Sequence, residues 1–162
     1  MIRREHVLKD AEATAAAGAL LARQISANSP AGMVVYLHGD LGAGKTTFAR
    51  GVLQALGVKG TVRSPTYTLM EPYSLAHLPG LQILHMDLYR LHSADELWQL
   101  GLDSYAPESS VWLVEWPERG EGVLLAADLS LTLRHEGAQR MLLVGGQVPW
   151  MAGFCADLDK LD

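Results

Sequence analysis

The eight residues Gly-Asp-Leu-Gly-Ala-Gly-Lys-Thr at positions 39–46 constrain the fold of this chain more than any other feature. They match the phosphate-binding pattern G-x-x-x-x-G-K-[ST] at every fixed position. The apolar run at 33–37 is typical of a strand buried on both faces, and a helix is predicted over 45–56, where Gly57 favours its end. A glycine-rich turn can also simply join a strand to a helix. The strand, the motif and the helix together predict nucleotide binding.

The chemistry of this loop gives each of its residue types a role. Its glycines permit backbone conformations closed to other residues, so that successive N–H groups point inward at an anion. The positive end of the following helix adds to that attraction. Lys45 is predicted to neutralise the β- and γ-phosphates of ATP, and the Thr46 hydroxyl to bind Mg²⁺. The predicted nucleotide-binding residues are Leu41, Gly42, Ala43, Gly44, Lys45, Thr46 and Thr47.

The rest of the pattern predicts alternating helices and strands. Apolar residues at helical spacing follow Asp10, which is suited to cap a helix N-terminus. Ser93 and Glu96 form the capping box of a short helix that stops at Gly101. The other predicted helices cover 11–27, 45–56 and 150–161, and the predicted strands cover 33–37, 81–86, 111–114, 129–133 and 141–144.

These elements predict an α/β fold of the three-layer P-loop NTPase class. Its sheet is expected to be mostly parallel, with an antiparallel hairpin at the edge formed by 129–133 and 141–144. No internal repeat and no long linker interrupts the chain. Residues 1–162 are therefore predicted to form a single ATPase domain.

Two acidic residues, Asp87 and Glu115, end buried apolar runs. Parallel strands end at the same edge of a sheet, so both carboxylates are expected beside the phosphate-binding loop, where one or both would hold Mg²⁺ directly or through water. Alternatively, each carboxylate only caps the end of its strand or pairs with a nearby arginine such as Arg90. Arg90 itself is suited to a phosphate, a partner or a surface ion pair.

His85 lies two residues before Asp87, on the same face of the predicted strand. We expect it to form a hydrogen bond that orients Asp87 or a loop. A zinc site would require further Cys or His ligands, and the sequence contains no such cluster. Between the loop helix and this strand, Ser64-Pro65-Thr66 occupies the place of a switch loop that senses the γ-phosphate, although a plain proline turn fits equally well.

Composition limits the partners and the compartment of the chain. Its net charge is -5 and its pI about 5.6, which disfavours direct, tight binding of nucleic acid. The single cysteine, Cys155, suits a reducing compartment and is expected to pack in the last helix. The alanine-rich N-terminal region lacks the apolar core of a signal peptide, and no run is long enough to span a membrane. A cytoplasmic location is expected.

Five segments together resemble a known family: GDLGAGKTT, SPTYTL, HMDLYR, ELWQLGL and LVEWPE, in this order and with short gaps between them. They are similar to the bacterial TsaE (YjeE) family, the ATPase component of the machinery that makes threonylcarbamoyladenosine on tRNA. The resemblance covers residues 35–118, about half of the chain. The stretch from Gly120 onward carries no motif of that family.

The resemblance implies a magnesium-dependent ATPase that is weak in isolation. It also implies association with two partner proteins, a kinase-like catalytic subunit and its paralogous companion, with tRNA reached only indirectly and no DNA or membrane partner. It makes Lys45 and Asp87 catalytic residues, makes Thr46 and Glu115 the magnesium ligands, and places Trp116 near the nucleotide.

Two other functions are compatible with the same motif. A small-molecule kinase would need an acceptor pocket and a lid rich in arginine, which the sequence after Gly101 lacks. A nucleotide-gated binding module would need no turnover, but the intact lysine, threonine and carboxylates argue against an inactive site. The only residues that the sequence suggests for contact with adenine are Asp10 and Arg134.

Overall fold

The computed structural model describes residues 2–28, 32–60, 62, 65 and 68–161. The strands of this part of the chain are β1 (Ile2–Leu8), β2 (Met33–His38), β3 (Met70–Ser74), β4 (Gln82–Asp87), β5 (Ser110–Glu115), β6 (Leu129–Glu136) and β7 (Gln139–Gly146). The α-helices are α1 (Ala11–Asn28), α2 (Lys45–Ala55), α3 (Glu96–Gln99) and α4 (Met151–Leu158). Short 3-10 helices cover Leu102–Ser104, Pro107–Ser109 and Pro117–Gly120.

The seven strands form one mixed sheet in the order β1-β7-β6-β2-β5-β4-β3. Its middle is parallel, because β2 pairs in parallel with both β5 and β6, and β5 pairs in parallel with β4. The β1–β7, β6–β7 and β3–β4 pairs are antiparallel. The α/β prediction is confirmed, while the expectation of a mostly parallel sheet holds only for the middle.

The predicted β6–β7 hairpin is present, but it does not lie at the edge as the sequence suggested. Strand β1 pairs along the whole outer side of β7, from Ile2 opposite Gly146 to Leu8 opposite Arg140. No local pattern in residues 2–8 predicts the strand β1. Its charged residues interrupt the apolar alternation, as is common on an edge strand that must avoid pairing with other chains.

Helix ends mostly follow the sequence signals. The Asp10 carboxylate accepts a hydrogen bond from the N–H of Ala13 at 2.8 Å, which confirms the predicted N-cap of α1. Gly57 has a φ of 93° just after α2, as a terminating glycine should. The capping box of α3 is only half formed. Glu96 accepts the N–H of Ser93 at 2.9 Å, but the helix begins at Glu96 itself, too late for a bond from the Ser93 side chain.

Helices cover both faces of the middle of the sheet. On one face, residues of α1, α2 and α4, among them Leu21, Phe48 and Phe154, share a buried core with alternate residues of the strands. On the other face, Leu97 of α3 packs with Trp112 in a second core. Cys155 is buried in α4, as expected.

The remaining sequence expectations in this region concern the switch loop and membrane-spanning segments. Ser64 and Thr66 of the predicted switch loop lie outside the described residues, and only Pro65 between them is described, as a buried residue. In the part of the chain that the structure covers, no helix combines the length and the apolar character needed to cross a bilayer.

Helices α1 and α2 cross at two glycines. A Cβ atom on Gly18 of α1 would lie less than 3 Å from backbone atoms of Phe48 and Val52, and a Cβ on Gly51 of α2 would lie equally close to the backbone of Ala15. No side chain fits between these two helix backbones where they cross. The contact therefore fixes the position of α2, which begins at Lys45.

We predict that Gly51→Ala lowers the free energy of unfolding by up to about 2 kcal/mol. Overpacking against backbone costs roughly 1–3 kcal/mol, and the gain of about 1 kcal/mol from replacing a helical glycine by alanine offsets part of that cost. Gly153→Ala in α4 is the matched control, since a Cβ there meets nothing within 4 Å. Urea denaturation should show a small stabilisation of the control, and equal stabilisation of both variants would contradict the close crossing.

Candidate functional site

The phosphate-binding motif forms the loop between β2 and α2. Gly39, Gly42 and Gly44 have positive φ angles of 145°, 78° and 113°. At Gly39, a Cβ atom would lie 2.5 Å from the carbonyl oxygen of Leu133, so only glycine fits there. Gly44 is the N-cap of α2 and supplies no side-chain hydrogen bond to the helix. The helix terminus thus lacks the usual side-chain cap, a feature that suits it to an anionic ligand.

Lys45, the first residue of α2, has a largely buried side chain that is held by three groups. Its ammonium donates hydrogen bonds to the carbonyl oxygens of Gly39 and, at 3.0 Å, of Asp40. It also lies 4.3 Å from the ring centre of Trp116. Burial lowers the pKa of Lys45, and nearby carboxylates, that of Glu115 first among them, oppose this shift. Backbone oxygens and an aromatic face hold a cation less strongly than a phosphate would.

Glu115 links the end of β5 to the start of α2. Its side chain is almost completely buried, and its Oε1 atom accepts a hydrogen bond of 2.8 Å from the Thr46 hydroxyl. In the register of the parallel strands, Glu115 lies beside Asp87, the last residue of β4. The expectation that both carboxylates reach the same edge of the sheet is confirmed.

The second oxygen of Glu115 bonds to His85, not to a group at the surface. The Nε2 atom of His85 lies 2.7 Å from Oε2 of Glu115, and His85 is fully buried. The sequence predicts that His85 orients Asp87 or a loop. The structure places the bond on Glu115 instead, because the longer side chain of Glu115 reaches diagonally across to the neighbouring strand. The carboxylate of Asp87 accepts the N–H of Tyr89 at 3.1 Å.

Trp116 forms one wall of the site through an unusual backbone conformation. Its φ of 57° is left-handed, which is rare for a bulky residue and is concentrated at functional sites. The indole packs on the ring of Tyr89, with 5.0 Å between ring centres, and lies against the ammonium of Lys45. Trp116 thus lies beside Lys45 at the loop, and its proximity to a nucleotide stays a prediction.

These groups surround one cleft of about 400 Å³. Its lining residues are Leu41, Gly42, Gly44, Lys45, Thr46, Thr47, Asp87, Tyr89, Arg90, Glu115 and Trp116. Of the predicted site residues, only Ala43 is absent from this lining. Its side chain is buried, and its N–H donates to the carbonyl of Asp40 within the loop at 3.1 Å.

A smaller cavity of about 110 Å³ adjoins the loop on its other side. It combines the loop and helix residues Gly42, Gly44 and Thr47 with Asp10, Ala11, Thr14, Ala138 and Arg140. Asp10 is therefore close to the loop. Arg134 lines a different cavity, which the loop residues Gly39, Asp40 and Ala43 also border, and it pairs with Glu136 at 3.7 Å. Contact of either residue with adenine stays a prediction.

Sequence reasoning missed Arg140 entirely. Its Nε atom donates a hydrogen bond of 3.2 Å to the carbonyl oxygen of Ala43, so it supports the phosphate-binding loop from the strand β7. Arg140 lies in no motif, and 97 residues separate it from its partner. Only the pairing of the hairpin with β1 and β2 brings it to the loop, and no local pattern reports that.

The oxygen donors at the cleft suit magnesium bound together with a nucleotide. The hydroxyl of Thr46 and the carboxylates of Asp87 and Glu115 are hard ligands of the kind that Mg²⁺ prefers. Among the described residues, no group of three or more His, Cys, Asp and Glu side chains is arranged to hold a metal by itself. Magnesium sites in phosphoryl-transfer proteins normally use one or two carboxylates with substrate phosphates, and these residues fit that arrangement.

Sequence comparison relates the chain to one family. The model of the family described as threonylcarbamoyl adenosine biosynthesis protein TsaE matches residues 8–142. The tRNA threonylcarbamoyladenosine biosynthesis protein TsaE of Haemophilus influenzae is 48% identical over 103 residues, which cover 64% of this chain and 63% of that protein. The match therefore spans slightly less than two thirds of that relative. The protein of the same name from Bacillus subtilis is 40% identical over 72% of this chain and 71% of its own length.

Structural comparison extends the likeness over nearly the whole chain. The crystal structure of Bacillus subtilis YdiB matches with a TM-score of 0.72 and 29% sequence identity. The match covers 98% of this chain and 95% of that one. The similarity thus includes the segment after Gly120, where the sequence carried no motif.

We predict that Thr46→Val lowers the free energy of unfolding of the nucleotide-free protein by about 1–3 kcal/mol, the cost of leaving a buried acceptor without its donor. Thr46→Ser keeps the hydroxyl and should lose less than about 1 kcal/mol. Thr47→Val is the matched control, because it makes the same change one residue further along α2. Denaturation in the presence of a chelator measures all three, and equal stability of both valine variants would contradict a structural role for the Thr46–Glu115 bond.

Proposed function

The chain belongs to the TsaE family, and from this premise we propose that it is a magnesium-dependent ATPase required for threonylcarbamoyladenosine modification of tRNA. The relatives carry that modification in their names. The observation that carries the proposal is the Thr46–Glu115 hydrogen bond at the phosphate-binding loop. It joins the hydroxyl and the carboxylate that a magnesium nucleotide requires, at the end of a strand and the start of a helix.

The fold supports a P-loop NTPase assignment. The loop follows β2 in the parallel middle of the sheet and leads into α2, and the neighbouring parallel strands β5 and β4 end at acidic residues. Helices lie against both faces of this region. Ligands of such sheets bind beyond the carboxyl ends of the parallel strands. We take residues 1–162 as one ATPase domain on this basis.

Each residue of the cleft then has a defined task. The backbone N–H groups of the loop and the start of α2 bind the phosphates, and Lys45 exchanges its carbonyl partners for phosphate oxygens. Thr46 and Glu115 would hold magnesium, which would supply charge neutralisation on the β- and γ-phosphates. Asp87, which also lines the cleft, orients water or the outer coordination shell. Trp116 bounds the cleft on the side of the lysine.

The proposed partners follow from the need to stabilise the charge that develops during phosphoryl transfer. Charge that develops on a transferred phosphoryl group is usually stabilised by an arginine in the same chain or from another protein. Among the described residues, Arg90 is the arginine that lines the cleft. We propose that turnover depends on two protein subunits that carry out the threonylcarbamoyl transfer in the cytoplasm. With a net charge of -5, this chain contacts tRNA only through them.

The two carboxylates should have separable roles. We predict that Glu115→Gln weakens the magnesium dependence of nucleotide binding, because it removes a direct ligand. Asp87→Asn should spare binding and reduce hydrolysis by about 10-fold or more, as expected for a group that acts on the reaction alone. Calorimetric titration of nucleotide with and without magnesium, together with phosphate release, measures both. Equal losses of binding and turnover in the two variants would contradict this division.

We predict that the isolated protein is a slow ATPase whose rate rises at least about tenfold, roughly 1.4 kcal/mol of barrier, when the transfer subunits are added. Steady-state phosphate release, alone and with those subunits, tests the proposed function. Lys45→Ala is the control, since it should remain folded but lose both the basal and the stimulated rate. A fast rate that the subunits leave unchanged would contradict the proposal and favour a self-sufficient kinase. Binding without stimulated turnover would favour a nucleotide-gated module.

A further inference from the structure

Glu115 accepts one hydrogen bond at each of its two carboxylate oxygens. Thr46 binds Oε1 at 2.8 Å from the direction of α2, and His85 binds Oε2 at 2.7 Å from β4. An ionised carboxylate has about four lone-pair sites, so positions remain for a further ligand. The two donors come from different elements, and together they determine how the carboxylate plane is turned.

His85 has no evident reason to be polar other than this bond. It is fully buried on a strand whose other buried positions before Asp87 are apolar. Its Nδ1 atom has no hydrogen-bond partner among the residues that the structure describes. A buried polar atom without a partner costs about 1–3 kcal/mol, which an apolar residue at this position would avoid.

The bond also assigns the tautomer of the imidazole. An ionised carboxylate can only accept, so Nε2 of His85 must carry the hydrogen. When the ring carries this one hydrogen, Nδ1 is an acceptor, and no N–H donor is buried without a partner. The hydrogen bond from Nε2 is therefore directional and holds Oε2 in a single place.

This restraint has a definite effect on Glu115. The terminal torsion of a glutamate is broad and roughly two-fold, so a carboxylate with a single donor can turn about that bond. With Oε2 fixed by His85, Oε1 stays directed at Thr46 and the phosphate side of the cleft. Groups that orient a metal ligand in this way typically change metal affinity or activity by about 10–100-fold when they are removed.

We propose that His85 is a positioning residue, whose Nε2–H fixes the carboxylate of Glu115 for the magnesium nucleotide without touching the nucleotide itself. The inference rests on the proposed function, since it assigns Glu115 to the magnesium site. The proposed role of His85 is to orient the Glu115 carboxylate, and this role requires no change in the charge of His85.

Two amide substitutions separate positioning from packing. In His85→Gln the side-chain amide reaches the place of Nε2 and can still donate to Glu115. In His85→Asn the amide reaches only the place of Nδ1 and cannot. His85→Leu removes every donor at similar volume. The matched control is His6→Leu, because His6 is also buried and also bonds to a carboxylate at 2.7 Å, that of Asp159, with β1 and α4 as the elements joined.

The measurement is the magnesium concentration that half-saturates binding of a fluorescent ADP analogue, with nucleotide affinity in excess chelator as the second readout. We expect His85→Asn and His85→Leu to raise the half-saturating magnesium concentration about 10–100-fold with little change in chelator. His85→Gln should stay within about threefold of wild type, and His6→Leu should lower stability alone. Should the leucine variant fail to fold, the asparagine and glutamine variants still decide the matter.

Several outcomes would overturn the inference. Wild-type magnesium dependence in His85→Asn would show that the bond is not needed, and equal shifts in the asparagine and glutamine variants would show a packing effect. In the metal-free protein, ¹⁵N NMR spectra should show His85 protonated at Nε2, and protonation at Nδ1 alone would also contradict the inference. If the wild-type protein binds no nucleotide, the proposed function fails as well. Normal wild-type binding with unaffected His85 variants would refute this inference only.

Discussion

A buried carboxylate at the end of β5 organises the site. Glu115 is only 1% exposed, and a buried charge is costly unless hydrogen-bond donors hold it. Thr46 and His85 hold it, and they belong to α2 and β4, so the requirement of one residue fixes three elements relative to one another. The same elements carry Lys45 and Asp87. One arrangement therefore holds the buried charge and also brings together the residues proposed to bind phosphate.

Local patterns in the sequence predicted what depends on neighbours along the chain. The loop at 39–46, the cap of α1 and the acidic strand ends all appear as expected, because short-range hydrogen bonding and periodicity determine them. The partner of His85 depends instead on how β4 lies against β5, and Arg140 reaches the loop through the order of strands. Strand β1 was missed because an edge strand need not alternate. Long-range packing leaves no mark at any single position.

The cleft combines a prearranged part with an exchangeable part. The carboxylate of Glu115 and the hydroxyl of Thr46 are already bonded to each other, so under the proposed function a metal nucleotide would find them in place. Lys45 is bonded to carbonyl oxygens and lies against the face of Trp116, and these contacts would have to give way to phosphate. Binding would then be an exchange of partners at the lysine, and affinity would reflect the difference between the two sets of contacts.

The crossing of α1 and α2 restricts how this sequence can drift during evolution. A side chain at Gly18 or Gly51 would meet backbone atoms of the opposite helix. Replacing a residue of that helix by a smaller one would not remove those backbone atoms. An ordinary core clash can be relieved by a smaller neighbour, so that pairs of positions covary. Here no second mutation can compensate for the first. These two glycines should therefore persist in relatives that keep the crossing, although neither takes part in the chemistry of the cleft.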